Sequence, residues 1–170
     1  MAFGPRLQAR ILSFVASLRA RGADVDRPVL YAVYGNDIMA RLARIHAHPE
    51  RDGPHGMLVV ALRGRTPAYV RCAFADNGET LLCDACAGAY PQEPNVPRRP
   101  VSAAMEEALK NAGYWLDQAS GRFIFNYEIG PNPDSDVWGG VSVAVLKPLI
   151  DVFGAHARSR IDITAPLVPG

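Results

Sequence analysis

Asn77 and Gly78 place the strongest single constraint on this chain, because they stand between YVRCAF (Tyr69–Phe74) and LLCDAC (Leu81–Cys86). An Asn-Gly pair is the preferred centre of a two-residue type I′ hairpin turn, whose central residues both need positive φ. Such a turn fixes the pairing: Phe74 lies opposite Leu81, Cys72 opposite Cys83 and Val70 opposite Ala85. One face of the hairpin is then apolar throughout. The other sets Arg71 across from Asp84 and Tyr69 across from Cys86, an opposite-charge pair where a cross-strand pair stabilises. A slip of one residue would turn every apolar side chain to the wrong face, so polarity and turn chemistry agree on one register.

Around this hairpin the apolar spacing lays out the other elements. Leu7, Ile11, Phe14, Val15 and Leu18 make one stripe of an amphipathic helix over Arg6–Arg21. Val29–Tyr34, β-branched and aromatic and closed by Gly35, reads as a strand. Ile38, Leu42 and Ile45 share the face of a short helix, and Met57–Leu62 is a near-continuous apolar strand. Four prolines in Pro91–Pro100 predict a stiff extended connection. Ser102 caps a helix carrying Met105, Leu109 and Ala112 and stopping at Gly113. Phe123, Phe125, Tyr127 and Ile129 alternate along one side of an aromatic strand. Val137–Phe153 reads as one long or kinked helix, capped by Asp136 and ending at Gly154, with Pro148 inside; the alternative is a strand to Leu146 followed by a short helix. RIDITAP adds a last edge strand.

The expected fold class is α+β, an antiparallel sheet of roughly four to six strands with helices packed mainly on one face. The expected organisation is one domain over 1–170: an N-terminal helix-strand-helix extension (1–56), a core (57–157) and a tail (158–170). Lys plus Arg number 18 against 17 Asp plus Glu, so no net field draws the chain to nucleic acid or an anionic membrane. Arg6, Gln8 and Arg10 interrupt the start, which lacks the apolar core of a signal peptide. With three cysteines and no such leader, the expected compartment is the cytoplasm.

Two clusters could carry metal chemistry. Cys83 and Cys86, three apart on a strand, point to opposite faces with Cα atoms roughly 10 Å apart, too far for a disulfide, and a zinc knuckle lacks both the tight turn, which Asp84-Ala85 does not supply, and a second C-x-x-C. Cys72 and Cys83 are close enough to oxidise, but the two-residue turn makes them a hydrogen-bonded pair, read as two buried thiols. His46, His48 and His55 lie within ten residues beside Glu50 and Asp52, the right ligand types for zinc or iron. They lack E-x-x-H spacing and sit among prolines and glycines, so a metal-dependent enzyme centred on them is the lesser reading. His156 is explained as a cation near a helix end. No G-x-S-x-G, phosphate-cradling loop or dinucleotide fingerprint occurs, and the reading leans away from an enzyme.

The aromatic set offers more. Tyr69, Tyr90, Tyr114, Trp115 and the Phe123, Phe125, Tyr127 row exceed what one covered face needs, and three helices cannot cover both faces of a sheet equally. From about Met57 to Ala157 the YVRCAF and LLCDAC strands, ALKNAGYW and LKPLIDVFG resemble bacterial type III secretion chaperones and YbjN-like peptide-binding proteins. The resemblance implies helices on one side of a sheet, no catalysis, no cofactor, and use as a secretion-type chaperone for a protein or peptide client, with homodimers common. The partner is expected to be held as an extended or amphipathic peptide, through main-chain pairing at a sheet edge and apolar contacts on an exposed face, with Tyr69, Leu82, Cys86 and Trp115 binding it and Arg71 and Asp84 as a polar rim. An immunity protein neutralising a toxin is the third reading.

Overall fold

The computed structural model describes residues 26–88, 90 and 101–168. The helix expected over Arg6–Arg21 and the connection Pro91–Pro100 lie outside the described residues. Six strands form one antiparallel sheet: β1 (Met57–Arg63), β2 (Ala68–Ala75), β3 (Thr80–Ala87), β4 (Trp115–Asp117), β5 (Arg122–Glu128) and β6 (Arg160–Thr164), in the order β4-β5-β3-β2-β1-β6. The helical elements are α1 (Asp26–Leu30), a π turn (Tyr31–Gly35), α2 (Asn36–His46), α3 (Ala103–Asn111) and α4 (Ser135–Asp151).

The β2–β3 register follows the turn chemistry residue for residue, with Phe74 on Leu81, Cys72 on Cys83, Arg71 on Asp84 and Tyr69 on Cys86. Asn77 (φ 58°, ψ 31°) and Gly78 (φ 88°) take the expected left-handed conformation, and Asp76 (φ 53°) joins them. The ladder therefore ends at Ala75–Thr80 and leaves four residues in the loop. Lengthening the loop by one residue on each side preserves every pairing but exchanges the hydrogen-bonded and non-hydrogen-bonded positions. Cys72 and Cys83 come to lie at the close kind of position, their Cα atoms 4.0 Å apart, and are joined by a disulfide. The expectation of two buried thiols is corrected by this parity.

A second correction concerns Val29–Tyr34, which is helical. Backbone angles stay in the right-handed helical region through both junctions (Leu30 φ −64°, ψ −39°; Gly35 φ −57°, ψ −47°), so α1, the π turn and α2 run on as one rod. Leu30, Ile38, Leu42 and Ile45 are buried along it and enter the same core as the sheet. The π turn adds one residue to the winding, which absorbs the drift between a four-residue apolar spacing and a 3.6-residue turn.

The segment expected as one long helix over Val137–Phe153 is a single helix, α4, which starts two residues earlier and ends at Asp151, before the turn at Val152 and Phe153. Its cap is Asp134, whose carboxylate accepts from the amides of Asp136 and Val137 at 3.0 Å, and not Asp136. Past its end Gly154 (φ 74°) reverses the chain, and the Ala155 amide closes back on the Leu149 carbonyl at 2.8 Å. Trp138, Val141, Val145, Leu146 and Leu149 are buried by α4, which lies across the centre of the sheet against α2. Each such side chain contributes about 1.5–3 kcal/mol by leaving water.

Candidate functional site

Directly opposed residues of a sheet share a face, so the registers sort every strand residue. Leu58, Val60, Val70, Cys72, Phe74, Leu81, Cys83, Ala85 and Phe123 face the helices and form the main core. On the other face, one row crosses all six strands: Thr164, Val59, Arg71, Asp84, Ile124 and Trp115. A second joins Asp162, Ala61, Tyr69 and Cys86, and a third joins Met57, Ala73, Leu82 and Asn126. All six residues expected to bind a partner therefore lie on the face away from the main core.

They do not all lie open. Leu82 and Trp115 are 42% and 43% exposed, two of the three large hydrophobic side chains left in water among the described residues. Tyr69 is 5% exposed and Cys86 is buried; with Val59 and Ala61 they make a small second core. Tyr90 closes it, its ring edge-on to Tyr69 at 5.1 Å and its hydroxyl donating to the Met57 sulfur at 3.5 Å. Burial, and then a hydrogen bond with Cys86, push the Tyr69 phenol far above its ordinary range. The expectation that Tyr69 stands on the surface is corrected: the β1–β2 part of this face is covered, and the β3–β5–β4 part is where apolar groups meet water.

Between these two parts runs the Arg71–Asp84 pair. Arg71 Nε donates to Asp84 Oδ1 at 2.8 Å, Asp84 is 7% exposed, and the Cys86 thiol contacts Oδ2 at 3.6 Å. Burial is the largest single influence and works against the guanidinium charge, but the attraction of Asp84, its hydrogen bond and smaller effects of Tyr69 and Tyr90 together raise Arg71 overall.

The histidines do not converge. His46, at the end of α2, packs its ring against Phe74 and Trp138, each at 5.5 Å. His48 Nδ1 accepts the Glu50 amide at 3.2 Å, and His55 is exposed. Among the described residues no group of three or more His, Cys, Asp or Glu side chains is arranged to hold a metal ion. A depression of about 480 Å³ opens beside His46, lined by Ala47, Arg51, Asn77, Glu79 and Pro131. Its guanidinium is occupied: Arg51 donates to the Asn77 carbonyl at 3.1 and 2.6 Å and to that of His46 at 3.2 Å. Cys83 and Cys86 stand on opposite faces, as the strand period requires.

No family model, curated protein or solved structure matches the chain. Among the described residues no helix is long and apolar enough to cross a membrane.

Proposed function

We propose that this is a non-enzymatic, chaperone-like protein that holds a protein or peptide partner against the sheet face opposite its helices, with neither nucleic acid nor membrane as its target. The observation that carries the reading is the exposure of Leu82 and Trp115 on that face, beside the half-buried Arg71–Asp84 pair, while the opposite face is closed by α2 and α4. Apolar side chains framed by a fixed ion pair suit recognition of a partner segment through shape and a few polar contacts. Leu82 and Trp115 supply the area, Arg71 and Asp84 the rim, and Tyr69 and Cys86 flank it on the same face, buried under Tyr90. The likeness to type III secretion and YbjN-like chaperones supports the same reading, including a homodimeric working form.

The cytoplasm remains the proposed compartment, and the Cys72–Cys83 disulfide, a bond kept mainly in oxidising compartments, is the observation that counts against it. Alkylation of the protein in its native cells, followed by mass measurement, decides between a reducing and an oxidising compartment.

The binding reading is tested with a Leu82→Ser/Trp115→Ala double variant. Both side chains are partly in water, so unfolding free energy should stay within about 1 kcal/mol of wild type. Partners recovered with the wild-type chain and identified by mass spectrometry should then bind the variant at least about tenfold more weakly. Equal binding refutes the assignment of this face.

A further inference from the structure

The same face ends, on the β6 side, in an arrangement that the aromatic part does not explain. β6 pairs with β1 along Val59–Arg63, and among the described residues no strand pairs with its outer side. Five residues of main chain thus form an open edge of the sheet. Segments 63–67 and 155–164 bring four arginines, Arg63, Arg65, Arg158 and Arg160, to this edge against one carboxylate, Asp162. All four arginines are exposed. Arg63 and Arg160 are direct cross-strand partners, a like-charge pairing that is unfavourable alone. Asp162 reconciles them: Oδ2 accepts from Arg63 Nε at 2.8 Å and Oδ1 from Arg160 Nε at 3.1 Å. The bridge leaves the cluster with excess positive charge, and the Arg160 side chain is still 79% exposed.

We infer that β6 is a docking edge for an extended, acidic segment of a partner protein, which adds as a seventh strand and sets its carboxylates against Arg158 and Arg160. This rests on the peptide-binding reading above and uses different residues. The unmet main-chain groups of β6 select an extended polypeptide, and alternate side chains of an added strand fall on the arginine-bearing face. The charge selects Glu or Asp at those positions. An edge that only needed protection from aggregation would also be served by arginines, so the two roles are separated by experiment.

The probe is a fluorescein-labelled nine-residue peptide of alternating Glu and Val, blocked at both ends, titrated by anisotropy into the full chain. Binding is expected, weaker by about tenfold or more for the Arg158→Glu/Arg160→Glu variant and for a Lys-Val peptide. N-methylation of alternate peptide amides should abolish binding in one parity and spare it in the other, because a strand presents only every second amide to its neighbour. Binding insensitive to both N-methylated series, equal binding of a dT oligonucleotide, or no binding overturns the proposal. So does a concentration-dependent dimer in sedimentation that the Arg158→Glu/Arg160→Glu change dissolves, which would give the edge to a second copy. The Leu82→Ser/Trp115→Ala variant keeps β6 intact: if it loses its native partner while the Glu-Val peptide binds neither form, only the β6 assignment falls.

Discussion

The hydroxyl of Tyr114 donates to the carbonyl of Ala144 at 3.3 Å, and this is the carbonyl that Pro148 leaves without its helical donor. In an α-helix the amide of residue 148 would bond the carbonyl of residue 144, and proline has no amide hydrogen. Tyr114 is 1% exposed, so α4 can hold a proline in its interior without an unsatisfied buried acceptor. Tyr114→Phe should cost about 1–3 kcal/mol, the usual penalty for a stranded buried polar group. In a Pro148→Ala background the amide returns, and the same change should cost only about 0.5 kcal/mol. A double-mutant cycle from urea unfolding measures the coupling; its absence would show that the hydroxyl does not serve this carbonyl.

Gly56 is held by a close approach of two pieces of backbone. A Cβ at this position would lie 1.7 Å from the Arg51 carbonyl oxygen and 2.4 Å from its carbon. Neither atom can rotate away, so Gly56→Ala must move the turn that delivers the chain into β1, at about 2–4 kcal/mol. Gly139, inside α4, has nothing within 4 Å of the same built atom. Gly139→Ala should stabilise by up to about 1 kcal/mol through helix propensity. Thermal unfolding of the two variants should shift in opposite directions.

The contrast between what could and could not be read in advance has physical causes. Pairing across β2–β3 was legible because Asn77-Gly78 and the alternation of polarity specify the same register. Parity was not, since a loop of two or four residues centred on that pair gives identical partners, and only the second brings Cys72 and Cys83 to bonding distance. Val29–Tyr34 misled because β-branched and aromatic composition is a weak guide against tertiary packing. Leu30, Tyr34, Ile38, Leu42 and Ile45, nearly four apart, show the helix once the window runs through Gly35. That glycine is no stop: it is buried where a Cβ would sit 3.7 Å from Ser142 Oγ. The hairpin register sorts Tyr69, Arg71, Leu82, Asp84 and Cys86 to one face, whereas nothing in the sequence assigns Trp115 a register; which of the six lie open depends on Tyr90, whose position no local pattern reveals.

The Cys72–Cys83 bond closes a short loop, with a sequence separation of 11. Chain entropy alone would give it about 3 kcal/mol of stabilisation, and the preformed turn reduces this to about 2 kcal/mol. Unfolding in guanidinium with and without a phosphine reductant measures the difference. The denatured chain should show one reactive thiol, Cys86, before reduction and three afterwards. Three thiols without reductant would mean that the bond does not form.

Arg71 and Asp84 should respond asymmetrically to mutation. Removing the guanidinium strands a carboxylate that is 7% exposed, so Arg71→Ala should cost about 2–3 kcal/mol, at the lower end for buried pairs because Arg71 keeps partial contact with water. Replacing both, as Arg71→Leu/Asp84→Leu, removes the charge together with its partner and should recover most of that loss. Chemical denaturation of the three proteins tests this; a double variant no better than Arg71→Ala would place the cost in lost packing of the arginine stem.

His46 gives the fold a dependence on pH whose direction is set by its surroundings. Burial, and then the positive charge of Arg51, hold its imidazole below the ordinary value of 6.5, against smaller opposing effects from a hydrogen bond with the Gly78 backbone and from Asp52. The unfolded chain therefore takes up the proton first as pH falls. The stability contributed by the neutral ring is complete above pH 6.5 and is lost as pH drops from there through the lower folded-state value. Between pH 7.5 and 5.5 the wild-type Tm should fall further than that of His46→Gln. Parallel falls would mean that the ring packed between Phe74 and Trp138 carries its proton in the folded chain as readily as in the unfolded one.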